Sequence, residues 1–244
     1  MTVLFFAGGL SAQNNVTLGY CGDELGGTVI AQDPNPNEFG AAILLPKEIL
    51  NKYVGSEINR IDFAIGEKSC EVMTVFITKE LGGKALVTNK VVKFDAGWNT
   101  VNLKKSYTIQ KDDELYIGYS FYTTPETTSA GVMQFELNKG AYPGVNWYSQ
   151  NNKWWKFDHN VLDYNLSIRA FAEGNELPKT DVGTRDMVSP KMVIQNKPAD
   201  YSFKIRNFGT ETVNNLKFNI LANGNVFDVK ELKTLTLQTT RKSP

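Results

Sequence analysis

The stretch from residue 144 to residue 157, GVNWYSQNNKWWKF, holds three of the chain's four tryptophans on either side of a polar turn. If Asn151 and Asn152 occupy the two turn positions of a β-hairpin, alternation separates the rings onto two faces. One face carries Tyr148, Trp155 and Phe157, and the other carries Trp147 and Trp154 beside Ser149 and Lys156. A half-buried hairpin needs one aromatic face for its core. We therefore expect Trp155 to be buried and the second aromatic face to be surplus.

The surplus face has the composition of a sugar-binding surface. A flat indole can lie against the C–H face of a pyranose while amide, ammonium or carboxylate groups bond its hydroxyls. The groups in reach of Trp147 and Trp154 are Gln150, Asn151, Asn152, Lys153 and Asp158. The alternative is that the helix near Lys47 or a second domain covers this face, because large aromatic side chains are normally mostly buried.

A second candidate site is the loop DPNPNEFG, which concentrates hard oxygen ligands of the kind that calcium prefers. These ligands are Asp33, Asn35, Asn37 and Glu38. The loop lacks the glycine and the spacing of an EF-hand, and loops rich in Asp, Asn and Pro are usually plain turns. We expect no obligatory cofactor, with calcium as the one ion that this loop suggests.

Groups for catalysis are scarce. The chain has one histidine, His159, and two cysteines, Cys21 and Cys70, so the commonest general bases and nucleophiles are nearly missing. Carboxylates such as Asp23, Glu24 and Asp158 could serve glycoside hydrolysis, but spacing in the sequence does not show whether two of them stand at a working separation. We predict a non-catalytic protein, with an enzyme as the alternative.

The charge balance argues against nucleic acid as a partner. Lys plus Arg and Asp plus Glu number 26 each, so the chain creates no long-range positive field.

The N-terminal residues suggest export. An apolar run from Val3 to Leu10 ends in the small residues Ser11 and Ala12, as a secretory signal and its cleavage site would, although a basic n-region is missing. Residues 1–13 are therefore predicted to be a signal-peptide remnant, or else an apolar N-terminal strand. No later run is long enough to span a bilayer. Export would allow Cys21 and Cys70 to form a disulfide, and two separate buried thiols are the alternative.

Residues 14–175 have the pattern of an antiparallel β-sandwich, with short alternating runs divided by Gly, Pro, Asn and Asp. The stretch PKEILNKYVG predicts one short helix. A turn is expected at Thr88 and Asn89. Apolar and polar residues alternate strictly in the segment 161–174, so we expect one face of this strand to be buried in the core and the other to be exposed to solvent.

A polar joint, EGNELPKTDVG, places the domain boundary near Asn175. The β-pattern restarts over residues 176–244, with strands around 201–205 and 216–220 and turns at 207–209 and 223–224. An immunoglobulin-type sandwich has about seven strands in roughly 100 residues. Four or five strands are expected here, so this domain is predicted to be incomplete.

Two resemblances follow from these segments. FKIRNFGTETVNNLKFNIL resembles the CARDB-like immunoglobulin-like modules of bacterial surface proteins. YVGSEINRIDFAIG, GWNTVNL, ELYIGYSF and NLSIRAF resemble the jelly-roll modules of Bacteroidetes-type secreted proteins, including those of cleaved-adhesin (gingipain adhesin) kind.

The resemblances imply an all-β protein, a jelly-roll-like β-sandwich followed by a partial immunoglobulin-like sandwich. They imply a secreted or cell-surface adhesion protein that binds a glycan or a host or surface protein, and they carry over no catalytic residues. The alternative is a carbohydrate-binding accessory module of a secreted peptidase or glycoside hydrolase.

Overall fold

The computed structural model describes residues 15–30, 37–66, 70–123, 131–174, 177–188, 202–222 and 225–235. Within these ranges the chain forms seventeen β-strands and one short α-helix. All pairings between the described strands are antiparallel. The prediction of an all-β sandwich is confirmed. The predicted signal-peptide remnant, residues 1–13, lies outside the described residues.

Two large sheets make the body of the molecule. The seven-stranded sheet contains β1 (Asn15–Gly19), β2 (Leu25–Ile30), β4 (Glu57–Ile65), β7 (Gly97–Thr108), β9 (Gly131–Lys139), β12 (Tyr164–Leu166) and β13 (Ile168–Glu173). The six-stranded sheet runs in the order β11 (Lys153–Lys156), β10 (Asn146–Gln150), β3 (Glu38–Leu45), β8 (Leu115–Thr123), β5 (Cys70–Thr78) and β6 (Val87–Val91).

The core lies between these sheets and is built from the inward-facing residues of their strands. Phe63 of β4 and Tyr119 of β8 are fully buried, and their ring centroids lie 4.9 Å apart. Since β4 and β8 belong to different sheets, this aromatic contact joins the two layers.

Strand β4 shows how the sequence accommodates an irregular spacing. Ile58 and Ile61 are both fully buried although three positions apart. In the pairing of β4 with β13, Ile58 and Arg60 lie opposite the consecutive residues Ala172 and Phe171. This bulge places an extra residue in the strand and returns both isoleucines to the core face.

Strand β5 has neighbours on both sides, β8 and β6, as its partly apolar faces predicted. Met73, Val75 and Ile77 point into the core and are fully buried. Thr74 and Phe76 therefore lie on the opposite face of the sheet, away from the core.

The turn predicted at Thr88 and Asn89 is wrong, because both residues lie within strand β6. Asn89 is buried, and its side-chain oxygen accepts a hydrogen bond from the Lys104 backbone N–H at 3.1 Å. Asparagine has a low propensity for β-strands, but a hydrogen bond between its side chain and the backbone can offset this preference.

The prediction that the polar face of 161–174 is exposed to solvent is also wrong. The segment forms two strands, β12 and β13, separated at Ser167, and its polar residues Asn165, Ser167 and Arg169 are buried. Arg169 pairs with Asp62 of β4 at 3.4 Å, and its guanidinium lies 4.2 Å from the centre of the Trp98 ring. Partners of this kind allow a charged group to be buried.

The predicted helix is present as α1 (Lys47–Leu50), followed by a 3-10 turn at Asn51–Tyr53. The Tyr53 hydroxyl donates to Asp181 at 3.1 Å, and the Lys52 ammonium pairs with the same carboxylate at 3.2 Å. Leu177 is buried and belongs to the core cluster of the sandwich. The sandwich core thus extends beyond the boundary predicted near Asn175.

Beyond the joint, the described residues form two small sheets: β14 (Val182–Val188) with β15 (Ser202–Asn207), and β16 (Val213–Ala222) with β17 (Asn225–Leu235). Strands β15 and β16 match the expected runs, whereas β14 begins within the segment expected to be a linker. Assignment of this part to an immunoglobulin-like fold stays a prediction.

Candidate functional site

The aromatic hairpin forms in the predicted register. Strand β10 pairs with β11 so that Ser149 faces Trp154, Tyr148 faces Trp155 and Trp147 faces Lys156. Asn151 and Asn152 form the turn with φ values of 49° and 59°. Positive φ at both central residues is the signature of a type I′ turn, which suits the twist of a two-residue hairpin.

The inner face of the hairpin contacts the core only in part. Tyr148 and Phe157 pack against the core cluster, and the Phe157 ring lies 5.4 Å from that of buried Phe135. Trp155 stacks on Tyr148 but is 42% exposed. The expectation of a buried Trp155 is wrong, because β11 is the edge strand of its sheet in the described part of the chain and has a neighbouring strand on one side alone.

The outer face holds Trp154, which lies on its own sheet. A Cβ atom built on Gly40 would come within 2.9 Å of the six-membered ring of Trp154 and within 2.7 Å of the Ser149 hydroxyl oxygen. The Trp154 ring meets the Phe76 ring edge-on at 5.9 Å. These neighbours belong to the six-stranded sheet, and not to the helix or the second domain considered as covers.

Trp147 lies on the same outer face, one cross-strand row away. Its ring meets Tyr116 edge-on at 5.7 Å, and the Lys156 ammonium lies 5.0 Å from the ring centre. The indole N–H groups of Trp147 and Trp154 are buried and have no hydrogen-bond partner among the described residues. Both rings are half-buried, so the outer face is neither fully covered nor a flat exposed platform.

A cross-strand row of aligned residues forms the floor beside Trp154. The strand registers align Trp154 with Ser149, Ser149 with Gly40, Gly40 with Ser120, and Ser120 with Thr74. The Trp154 indole lies over Gly40, and its edge contact with Phe76 makes the two rings one aromatic wall. Ser149, Ser120 and Thr74 form the floor beside this wall. The arrangement is a groove with one aromatic wall, which we call the Trp154 groove.

The Trp154 groove has a volume of about 240 Å³. Its polar lining comprises the hydroxyls of Thr74, Thr78, Thr88, Ser120 and Ser149, the amide of Asn152 and the carboxylate of Glu38. The β5–β6 loop closes one side through Gly82, which lies beside Asn152 and Trp154. Gly82 has φ of +81°, a conformation that glycine adopts without strain.

Glu38 is held in place through the backbone. Its carbonyl oxygen accepts a hydrogen bond from the Asn151 N–H at 2.8 Å, which ties the first residue of β3 to the hairpin turn. Its carboxylate accepts a hydrogen bond from the Tyr122 hydroxyl at 3.4 Å. The carboxylate therefore enters the groove from a fixed strand position.

Of the seven residues predicted to bind a ligand, Trp154 and Asn152 line the groove. Trp147 lies in the adjacent row, and Gln150, Asn151 and Lys153 stand at the turn outside the lining. Asp158 is exposed and accepts hydrogen bonds from the backbone and side chain of Asn160, which lowers its pKa.

Several lining residues were not predicted, among them Thr74, Phe76, Thr88 and Ser120. They come from β5, β6 and β8, and the hairpin that completes the groove lies about 30 residues after Ser120, so no local motif marks the lining. One signal of the groove is present in the sequence. The alternation of β5 places Thr74 and Phe76 on the face away from the core, where core packing does not account for an aromatic residue.

The calcium prediction is only partly inside the described residues. Asp33 and Asn35 lie outside them, the Asn37 N–H donates to the Thr123 hydroxyl at 3.0 Å, and Glu38 lines the groove. Among the described residues, no group of three or more His, Cys, Asp or Glu side chains is placed to hold a metal ion.

Cys21 and Cys70 are buried and are not joined by a disulfide, which corresponds to the alternative of two separate thiols. The Cys21 thiol donates to the Ile168 carbonyl at 3.4 Å, while Cys70 begins β5 in the other sheet. Burial raises the pKa of Cys70 to about 12. The two thiols thus lie in separate surroundings.

The other groups considered for catalysis stand apart from the groove. His159 is exposed, and Asp23 forms an ion pair with Arg169 on the seven-stranded sheet. The backbone carbonyl of Glu24 accepts the Leu137 N–H at 3.0 Å. None of these residues lines the Trp154 groove.

Across the described ranges, the structure contains no helix whose length and apolar character would let it cross a membrane.

Comparison with known proteins yields a partial structural similarity. Neither a protein-family model nor a curated protein matches the chain. Among solved structures, the chain is similar to the crystal structure of the cysteine protease and lectin-like domains of a surface layer associated protein of Clostridium difficile, with 14% sequence identity and a TM-score of 0.42. The match covers 57% of this chain and 33% of that one, so it spans about a third of that structure. A likeness of this degree assigns no function.

Proposed function

We propose that this chain is an exported, non-catalytic binding module of the cell surface, and that its Trp154 groove binds carbohydrate. The observation that carries the proposal is the cross-strand row from Trp154 to Thr74, which places an indole beside a run of small and hydroxyl-bearing residues on the outer face of the sheet.

The aromatic wall supports recognition of a sugar ring. Trp154 lines the groove, and the edge contact with Phe76 fixes the plane of its indole. A ring held in this way can stack on the C–H face of a pyranose without losing side-chain freedom on binding. A sugar that adopts this pose would replace water over an aromatic surface that is already ordered.

The polar floor supports recognition of hydroxyl groups. Thr74, Ser120 and Ser149 offer groups that both donate and accept hydrogen bonds, and Asn152 adds an amide. These residues stand on strands of one sheet, apart from Asn152 in the tight turn. Polar groups on rigid elements give precise geometry at little entropic cost.

The carboxylate content favours binding over hydrolysis. Glycoside hydrolysis by the usual route uses two carboxyl groups on either side of the scissile bond. Among the described residues that line the groove, Glu38 is the one carboxylic acid. We therefore propose that the site holds its ligand without cleaving it and needs no cofactor.

The location at the cell surface and the adhesive role rest on the sequence. The apolar run from Val3 to Leu10 and the resemblance to secreted jelly-roll modules support export. A binding module displayed outside the cell would meet glycans of a host or of neighbouring cells, and a glycosylated surface protein is the partner that we infer.

The test compares two adjacent tryptophans. We expect Trp154→Ala to weaken glycan binding by about 1 to 3 kcal/mol, the scale known for aromatic stacking on nucleic-acid bases. Trp155→Ala is the matched control, because Trp155 is next in sequence, lies on the opposite face of the hairpin and is outside the groove. Binding is screened on a glycan array, and the best binder is measured by isothermal titration calorimetry.

Thr74→Val and Ser120→Ala extend the test without removing a large side chain. Each removes one hydroxyl from the floor, and valine keeps the β-branched shape that suits a strand. We expect weaker binding with unchanged unfolding curves. Equal affinities for Trp154→Ala and Trp155→Ala, or a glycan array without a binder, would contradict the proposed function.

A further inference from the structure

We propose that the Trp154 groove accepts a single neutral sugar residue and rejects anionic sugars, with Glu38 as the residue that discriminates between them. This inference rests on the proposed function and names the class of its ligand.

The size of the groove suits a ligand of about one ring. Its volume of about 240 Å³ is below the ~300–1,000 Å³ of pockets that enclose drug-sized ligands. The β5–β6 loop at Gly82 and the hairpin at Asn152 and Trp154 meet and close one side of the groove. A terminal sugar or one branch residue fits this space better than an extended polysaccharide chain.

The charge of the groove is set by Glu38. Its described lining contains one carboxylate and no lysine, arginine or histidine. The remaining polar groups are hydroxyls and one amide, which are neutral. A ligand inside the groove therefore faces a negative group without a compensating cation in the lining.

The lysines around the groove do not enter its lining. Lys84 stands between the lining residues Gly83 and Ala85, and Lys153 stands between Asn152 and Trp154, and both lysines are exposed. Lys156 lies over the Trp147 ring at 5.0 Å, one row away. Lys90 is aligned with Thr74 on the edge strand β6 and is exposed. Exposed cations at the rim are screened by solvent and salt far more strongly than a carboxylate within a groove.

Glu38 has a favourable role with a neutral sugar. An ionised carboxylate accepts hydrogen bonds through both oxygens, and neighbouring hydroxyls of a pyranose can supply two donors. The backbone bond from Asn151 and the hydroxyl of Tyr122 hold the carboxylate in position. A uronic or sialic acid in the same pose would bring a second carboxylate next to Glu38, and like charges in one site oppose binding.

The experiment uses pairs of methyl glycosides that differ only in charge, glucose with glucuronic acid and galactose with galacturonic acid. Binding is followed by saturation-transfer NMR and titration, which detect weak single-sugar binding. For the natural chain we expect binding of a neutral member and at least roughly tenfold weaker binding of its acidic partner. For Glu38→Gln we expect a loss of affinity for the neutral sugar of roughly tenfold, the scale of one charged hydrogen bond, and a smaller difference within the pair.

Glu71→Gln is the matched control. Glu71 is aligned with Tyr122 on the same face, is exposed and does not line the groove. It should leave both affinities unchanged, whereas Glu38→Lys should reverse the preference towards the acidic member.

Two results overturn the inference in different ways. Binding that depends on Trp154 but favours the acidic sugar, or a charge preference that Glu38→Gln does not alter, refutes the role of Glu38 and leaves the proposed function standing. Binding of neither member of any pair, together with an empty glycan array, refutes the proposed function and the inference with it.

Discussion

Trp154 and Trp155 are adjacent in the sequence and have opposite surroundings. Trp154 lies against Gly40 and Phe76 on the outer face of the six-stranded sheet, while Trp155 stacks on Tyr148 and is 42% exposed. The ring that faces away from the core is thus the one with more support from its own sheet. This support depends on the missing side chain at Gly40, because the indole occupies the space that a Cβ would need.

Gly40→Ala tests this dependence. Its methyl group would lie 2.7 Å from the Ser149 hydroxyl and 2.9 Å from the Trp154 ring, so both groups must shift. We expect the substitution to lower the free energy of unfolding by about 1 to 3 kcal/mol, the usual cost of overpacking, and to weaken glycan binding through the displaced indole. Urea unfolding and titration of the best-binding glycan measure the two effects.

Gly27→Ala is the control for the strand context. Gly27 lies in β2, and a Cβ at this position would meet nothing within 4 Å. The exchange should change stability little or raise it slightly, since alanine reduces the entropy of the unfolded chain. Equal destabilisation by both exchanges would refute the role assigned to Gly40.

At the scale of elements, local patterns predicted the strands well. The alternation of Leu115, Ile117, Tyr119 and Phe121 places four fully buried residues on one face of β8. The hairpin register followed from its length and from the tolerance of asparagine for positive φ. Such signals are contained in a few neighbouring residues, so the sequence displays them directly.

The groove could not be predicted in the same way. Its floor depends on which strands become neighbours, and β3 pairs with β10 and β8, which are distant in the chain. Thr74, Ser120 and Trp154 come together only through that order. The prediction of a solvent-exposed polar face on β13 failed for the same reason. Asp62 and Trp98, which are the partners of Arg169, come from β4 and β7.

Substitutions in the hairpin turn can distinguish an effect on folding stability from an effect on glycan binding. Asn151 and Asn152 both have positive φ, but only Asn152 lines the groove. Asn152→Gly should keep or raise the free energy of unfolding, because Asn-Gly is a preferred pair for a type I′ turn, and it should weaken glycan binding by removing the amide. Thermal unfolding and glycan titration of the same sample measure both quantities.

Asn151→Gly is the counterpart at the other turn position. Glycine also adopts the required φ there and keeps the backbone N–H that donates to Glu38. Binding should therefore be unchanged. Loss of affinity in Asn151→Gly as large as that in Asn152→Gly would show that turn geometry, and not the Asn152 amide, governs binding.

At the scale of the whole molecule, the joint between the sandwich and the C-terminal sheets is attached to the sandwich. Leu177 contributes to the sandwich core, and Asp181 binds Lys52 and Tyr53 after the helix. The sheets that follow are each two-stranded in the described residues, and Val226 and Val229 of β17 are exposed. Two-stranded sheets are marginally stable by themselves, so we expect stability to differ on the two sides of the joint.

Limited proteolysis should reveal where that difference begins. The polar composition of the joint alone would predict a resistant fragment that ends near Glu173, whereas burial of Leu177 and the Asp181 contacts predict an end beyond Asp181. Leu177→Ala should lower the free energy of unfolding of the sandwich by about 2 to 5 kcal/mol, the usual range for a buried leucine, and should move the end of the resistant fragment towards Glu173. Lys52→Ala should affect the end of the fragment less, because an exposed ion pair contributes little. Mass spectrometry of the fragments decides the matter, and a natural-chain fragment that ends at Glu173 would mean that the joint is cleaved despite its contacts.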